Sequence, residues 1–393
     1  MKREVIGYTK MANELLDNEL PSSPFFFASP NNTMMGIGVQ EERLQTLPFS
    51  ELADVANNML KNAKTSESDN PVLFGVVPFN QENMTRFVIP QTLYISSSTR
   101  ASQTSASSAP QARLISSPSG HHYKQGVHDL LGMFANQELS KVVLSRAIEV
   151  ATETDIQQQA LLRNLLSINA KGYTFAAQIG DNQKLMGASP ELLVAKKGSH
   201  LISNPLAGSR PRSESEQQNQ ASIQSLLNTG KDLHEHGLVV EEVERVMSKY
   251  CCNLYTPMVP SVIETQTMLH LSTQLEGQVL DPAINVLQVA AELHPTPAVC
   301  GYPREKAYEA IKRLEPFDRG YFTGMVGWCD SRGNGEWVVT IRCAEVQPRR
   351  MKVFAGAGIV NESQPQSELD ETGAKMNTIL KAAGIQLNEM LTA

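Results

Sequence analysis

Two acidic pairs with the same spacing stand far apart in this chain: Asp232 and Glu235 in KDLHEHGLVV, and Glu368 and Glu371 in QSELDETGAK. Each pair is i, i+3 in a stretch with helical periodicity, so each projects from one helical face. Two unit charges 4 Å apart near a protein surface repel by about 4 kcal/mol, so helices that bring such pairs together need a cation between them. Hard oxygen donors in small number suit Mg²⁺, which takes one or two carboxylates, keeps water and leaves places for an anionic ligand. Lys375 shares the stripe of Glu368 and Glu371, all three within roughly a 60° arc. The plainer alternative for that stripe is a solvated face carrying an i, i+4 pair, Glu371 to Lys375. His234 and His236 lie beside Glu235 at i, i+2. A zinc helix wants histidines at i, i+4, so these two are expected to pack or to stand behind other groups.

Four further positions could do chemistry. Lys141 opens the β-rich run KVVLSRAIEV. It is a base only where burial suppresses its charged form, and it falls on the opposite strand face from Arg146. Glu191 follows a Gly-Ala-Ser-Pro turn between strands, where a rigid scaffold can aim a loop residue; a turn acid in water is the alternative. Arg342, in WVVTIRCAEV, is expected to share one strand face with Val338, Thr340 and Ala344. An arginine there meets an internal acid or waits for an anionic ligand. Gly356-Ala357-Gly358 removes side chains where backbone N–H groups could approach an anion, although a lone G-x-G is weak evidence. Neither a Walker A loop nor a dinucleotide fingerprint occurs.

These residues need elements to hold them. Residues 24–27 and 73–77 read as buried strands, and a helix is expected over 49–63. Residues 96–120, rich in Ser, Ala and Pro without a period, read as a flexible loop or linker. Beyond it, helices are expected over 124–136, over 152–169 with Thr152 as N-cap, over 213–228 and 231–250, and over 281–293 and 304–314. Strands are expected over 141–150, 173–179, 184–186, 192–195, 322–330, 336–346 and 352–354. The Ser331–Gly335 turn marks a hairpin, and Pro365 opens the last long helix at its first position. Hairpin strands with interspersed helices point to a large α+β fold with mainly antiparallel sheets.

The 393 residues suffice for one large domain or two, and a content of 41% hydrophobic and 19% charged residues is that of an ordinary globular protein. A net charge of −7 argues against an electrostatic nucleic-acid binder. No apolar run reaches the ~20 residues of a membrane span, and the N-terminus lacks the apolar core of a secretory signal. Five cysteines without a C-x-x-C argue against a disulfide framework and a zinc site, and fit a reducing cytoplasm.

The runs KVVLSR, GASPELL, NPLAGSRPR, KDLHEH, LHPTPAVCGYP, EPFDRGYFTGMVGWCD, GNGEWVVTIRCAEV, FAGAGIV and SELDETGAKM resemble, in the same order, the chorismate-utilising enzymes. That family includes isochorismate, anthranilate, aminodeoxychorismate and salicylate synthases, and the motifs are most similar to isochorismate synthases of catechol-siderophore pathways. The motif-bearing segment is 121–387, and the first ~120 residues resemble the family only loosely. The resemblance implies one domain over 1–393, with an antiparallel β-sandwich core and outer helices, a cytoplasmic monomer, chorismate as substrate and Mg²⁺ as cofactor.

By motif, Glu235 and Glu371 would ligate the metal, with Asp232 and Glu368 acting nearby. Lys141 would be the general base that activates water at ring C2, and Glu191 the general acid at the C4 hydroxyl. Arg342 and the amides of Gly356, Ala357 and Gly358 would hold the enolpyruvyl carboxylate. Gly208 and Ser209 would make backbone contacts, Lys375 would lie near the ring carboxylate, and His270 would position the ring. Ammonia-using members lack the lysine, so Lys141 favours water as nucleophile. Ala298 is similar to the isochorismate synthases, where pyruvate-eliminating members carry threonine. Val299 departs from the leucine common in the siderophore enzymes, and Tyr302 replaces a phenylalanine. A salicylate synthase and a menaquinone-pathway isochorismate synthase stay open as alternatives.

Overall fold

The structure, a computed structural model, describes residues 1–5, 23–66, 68–97, 112–116 and 120–385. Among them an 18-stranded sheet and a three-stranded sheet account for the strands. The large sheet runs as one antiparallel ribbon, with a single parallel pairing of Lys2–Val5 to Thr92–Ile95. One arm joins the strands Ala112–Ser116, Lys141–Thr152, Arg350–Ile359, Cys343–Gln347, Gln183–Ser189 and Tyr173–Gly180. Phe25–Ala28, Asn32–Thr46 and Met84–Ser97 lead from there into the other arm. That arm continues through Val72–Val77, Met325–Asp330, Gly335–Val339, Leu192–Lys197, His200–Asn204 and Leu275–Val279.

The two arms share one core. Phe25, Phe27 and Phe175 meet Phe74, Val326 and Val338 in a single buried cluster, closed by Phe354. Helices cover the outer faces. Leu52–Asn62, Gly230–Met247 and Val286–Leu293 pack on one arm. Gln158–Ile168 and Pro365–Ala382 pack on the other, and Gly120–Ala135 and Arg304–Leu314 cover the Lys141 strand. The α+β expectation and its antiparallel core therefore hold. No helix among the described residues is long and apolar enough to cross a membrane.

Local signals explain most boundaries. Asn285 caps Val286–Leu293 by accepting from the Leu287 amide, and Ser215 caps Glu216–Asn228 by accepting from Gln218. Pro365 stands in the first turn of the last helix, as expected.

Four expectations need correction. Thr152 ends the Lys141 strand and caps nothing: the next helix is Gln158–Ile168, because the 141–152 strand continues its ladder with Arg350–Ile359 as far as Ala151. The expected 336–346 strand is two strands, Gly335–Val339 and Cys343–Gln347, which pair with different neighbours on the two arms. Arg342, in the break between them, has φ +50°, so the proposed face shared with Val338, Thr340 and Ala344 does not exist. The expected 96–120 loop contains the strand Ala112–Ser116, while 98–111 and 117–119 lie outside the described residues.

Candidate active site

The three-stranded sheet builds one wall of a buried cavity. Its strand Leu206–Pro211 pairs with Met268–Ser272 so that Ser209 lies opposite His270, after an irregularity between Leu206 and Ser209. Gly208 sits in that irregularity at φ +77°, a conformation that favours glycine. The Lys141 strand and its partner, with Val143 opposite Gly358 and Ser145 opposite Gly356, build another wall. The Glu191 turn, the Arg342 break, the two acidic helices, the Ala298–Val299 loop and the Phe322–Thr323 turn close the rest.

The cavity is lined by eleven of the expected residues: Glu191, Gly208, Ser209, Glu235, His270, Ala298, Arg342, Gly356, Gly358, Glu371 and Lys375. Four expected residues do not line it. Lys141 is wholly buried, with Nζ 3.0 Å from Glu235 Oε1. Asp232 and Glu368 are buried behind the lining. Ala357 points its methyl to the opposite side of its strand, into the apolar cluster with Leu144 and Ile359, so only its backbone can face the site. A wider surface depression, lined by Asn164, Arg212, Glu214, Thr378 and Lys381, carries none of the expected residues. A narrow gap lined by Asn169, Thr267, Arg342 and Thr378 lies between the two.

Each of the four acids has a basic partner. Lys141 pairs with Glu235, Lys375 with Glu371 at 2.6 Å, and Lys231 with Glu368 at 2.9 Å. Arg210 donates to both oxygens of Asp232, at 3.2 and 2.5 Å. The acids do converge, since the charges of Glu368, Glu235 and Glu371 all raise the Lys231 ammonium against the lowering effect of its own burial. Their mutual repulsion is nevertheless offset by four side-chain cations, so repulsion by itself does not call for a metal. This revises the inference from spacing.

The donor chemistry still fits Mg²⁺. Two carboxylates from different helices, Glu235 and Glu371, line one cavity, and one or two carboxylates plus substrate oxygens are what this ion takes. Burial pushes Glu371 up, but Lys375, the Ser209 hydroxyl at 2.8 Å and Lys231 together outweigh it and hold the carboxyl below its usual range. Glu368 is raised, by burial first and by Glu371 second. Of this pair Glu371 is the one whose surroundings favour the anionic form, the form a metal requires.

Glu191 is 3% exposed, and burial raises its carboxyl to about 7 against the lowering effects of the Leu206 amide and of Lys141, Arg342 and Lys375. A carboxyl half-protonated near neutrality suits a general acid. Arg342 Nη2 stands 3.3 Å from His270 Nε2. Burial, with the charges of Arg342 and Lys375, pushes His270 well below its ordinary value. The neutral ring therefore accepts from the guanidinium. Lys375 Nζ also donates to Gly356 O at 2.8 Å, which ties the last helix to the glycine strand. A Cβ on Gly358 would stand 2.1 Å from Glu235 Oε1 and 3.1 Å from Lys141 Cε. That glycine thus makes room for the Glu235 carboxylate.

Several lining or supporting residues escape sequence reasoning. Thr323 lines the cavity at φ +58°, a strained conformation for a β-branched residue. Arg210 and Lys231 neutralise the rear acids. Lys231 had a usable signal, standing i, i+4 from Glu235; Thr323 and Arg210 had none.

The chorismate binding enzyme family pattern matches residues 88–384. The chain is 68% identical over its whole length to the vibriobactin-specific isochorismate synthase of Vibrio cholerae serotype O1, covering 100% of both. It is 41% identical to isochorismate synthase DhbC of Bacillus subtilis, over 98% of this chain and 99% of that one. The crystal structure of DhbC from Bacillus anthracis superposes with a TM-score of 0.89 at 41% identity, over 96% of this chain and 100% of that chain. With matches that run nearly end to end and a cavity that gathers the motif residues, the chain belongs to the chorismate binding enzyme family.

Proposed function

We propose that the protein is an isochorismate synthase that converts chorismate to isochorismate for a catechol siderophore built on 2,3-dihydroxybenzoate. One observation carries the reading. A single buried cavity gathers a carboxyl that titrates near neutrality with a guanidinium, an ammonium and two carboxylates from separate helices, on a chain alike end to end to isochorismate synthases.

In this reading Arg342 and Lys375 bind the two carboxylates of the substrate, and the neutral His270 positions the ring. Lys141 acts as the general base, taking a proton from water as the water oxygen bonds to ring C2. The ring double bonds shift toward C4, and the C4–O bond breaks as Glu191 gives its proton to the departing hydroxyl. One water is consumed and one released, so the reaction is an isomerisation. Acid and base act on separate carbons because hydroxide leaves poorly and neutral water attacks poorly. Mg²⁺, held by Glu235 and Glu371, would supply positive charge for the ring carboxylate.

Incubating the protein with chorismate and Mg²⁺, then separating the products, tests the function. Isochorismate is expected, and salicylate with pyruvate would replace this reading by the salicylate synthase. Lys141→Ala should keep the fold and abolish conversion; substantial turnover would remove Lys141 as the base.

A further inference from the structure

The EPFDRG run holds a buried pair with no part in the chemistry above. Glu315 and Arg319 stand i, i+4 with side chains 1% and 2% exposed. Arg319 Nε and Nη2 donate to the two Glu315 oxygens at 2.8 and 2.5 Å. Burying such a pair is seldom favourable for stability by itself, which invites the question of what its remaining bonds do.

Those bonds reach three separate parts of the cavity wall. Arg319 Nη2 donates to Val143 O at 2.7 Å, two residues from Lys141 on its strand. Arg319 Nη1 donates to Val299 O at 2.8 Å, next to Ala298, and to the Thr323 hydroxyl at 3.1 Å. Glu315 Oε1 accepts from the Ser145 amide at 2.7 Å. Val143, Ala298, Val299 and Thr323 all line the cavity. The guanidinium lies over the Phe79 ring, 4.4 Å from its centroid, which adds a cation–π contact to the fork's hydrogen bonds. The strained Thr323 is further held by its amide, which donates to Thr340 O at 2.8 Å. A planar five-donor fork can serve a carboxylate, two carbonyls and a hydroxyl together, whereas an ammonium cannot.

We propose that Glu315 and Arg319 are positioning residues for the reaction, locking the Lys141 strand, the Ala298–Val299 loop and Thr323 in one register across the cavity. The proposal rests on the isochorismate synthase reading for what is being positioned. Arg342 and Lys375, assigned to substrate carboxylates, sit on other elements, so loosening the pair should disturb the chemical step more than binding. A misplacement of about 1 Å can cost about 100-fold in rate.

The test compares wild type, Arg319→Lys and Glu315→Gln in steady-state kinetics with chorismate and Mg²⁺, alongside thermal melting. Isochorismate formation by the wild type decides the functional reading separately. The variants decide the pair. In variants that melt cooperatively, kcat per folded molecule should fall about 10- to 100-fold while KM stays within about threefold. Arg319→Lys should be the more affected, since Glu315→Gln keeps an acceptor for Ser145. A kcat within twofold of wild type, or a rise in KM at unchanged kcat, overturns the proposal. Failure of both variants to fold also overturns it, by assigning the pair to the fold alone.

Discussion

At the scale of single residues, one carboxyl sets the most direct expectation. Burial lifts Glu191 to about 7 despite three nearby cations. A proton donor works below its pKa, so kcat should hold up to about pH 7 and fall as pH rises beyond it. Glu191→Gln should lose most turnover and show no such limb; a pH–rate profile of both proteins checks this, and an alkaline limb retained in residual Glu191→Gln activity would assign it to another group. The same scale shows what local sequence leaves unsaid. The space above Gly358 holds Glu235 Oε1, so the glycine is needed for a protein carboxylate. Ala357, between two cavity glycines, faces the core because successive strand residues alternate sides.

At the scale of elements, the two acidic helices define the site. The i, i+3 spacing correctly placed each pair on one inward face, and all of Asp232, Glu235 and Glu368 are buried. Spacing placed Lys375 beside Glu371, and the structure bears that pair out, but spacing did not reveal that Lys141, Lys231 and Arg210 accompany the other three acids. Within the last helix the two acids are unequal: Glu371 is held anionic by Lys375 and Ser209, and Glu368 is raised. Glu371→Gln should therefore raise the Mg²⁺ concentration needed for half-maximal activity by about tenfold or more, with little change in melting temperature. A metal titration of activity reads this, and an unchanged requirement would exclude Glu371 as a ligand. The strand expected over 336–346 marks the limit of pattern reading. Its alternation looks regular, but the chain passes from one arm of the sheet to the other at 340–342, leaving Arg342 at φ +50°. Such a conformation costs about 1–3 kcal/mol and persists only where surrounding structure imposes it. No residue within that window announces it.

At the scale of the whole molecule, the fold encloses charged groups in an apolar shell, and stability should register the cost. An unfolded chain loses the Glu191 proton near 4.5, the folded one near 7. The folded state is thus fully favoured, with respect to this group, below 4.5. It loses stability as pH rises through 7, by up to about 3 kcal/mol. Glu191→Gln should melt higher than wild type at pH 8 and alongside it below pH 4.5. Equal melting at both pH values would show that the buried carboxyl carries no such penalty.

The sequence by itself determined the α+β class, most helix and strand positions, the inward acidic faces and the family, because these depend on periodicity and motifs among residues a few positions apart. Only the tertiary structure decided the charge partners of Asp232, Glu235 and Glu368, the left-handed Thr323 and Arg342, the inward turn of Ala357 and the Glu315–Arg319 clamp. Ser209 lies 162 positions from Glu371, Lys231 137 from Glu368, and Arg319 176 from Val143. Contacts at such separations are created when the arms of the sheet close on one another, and no local pattern encodes them.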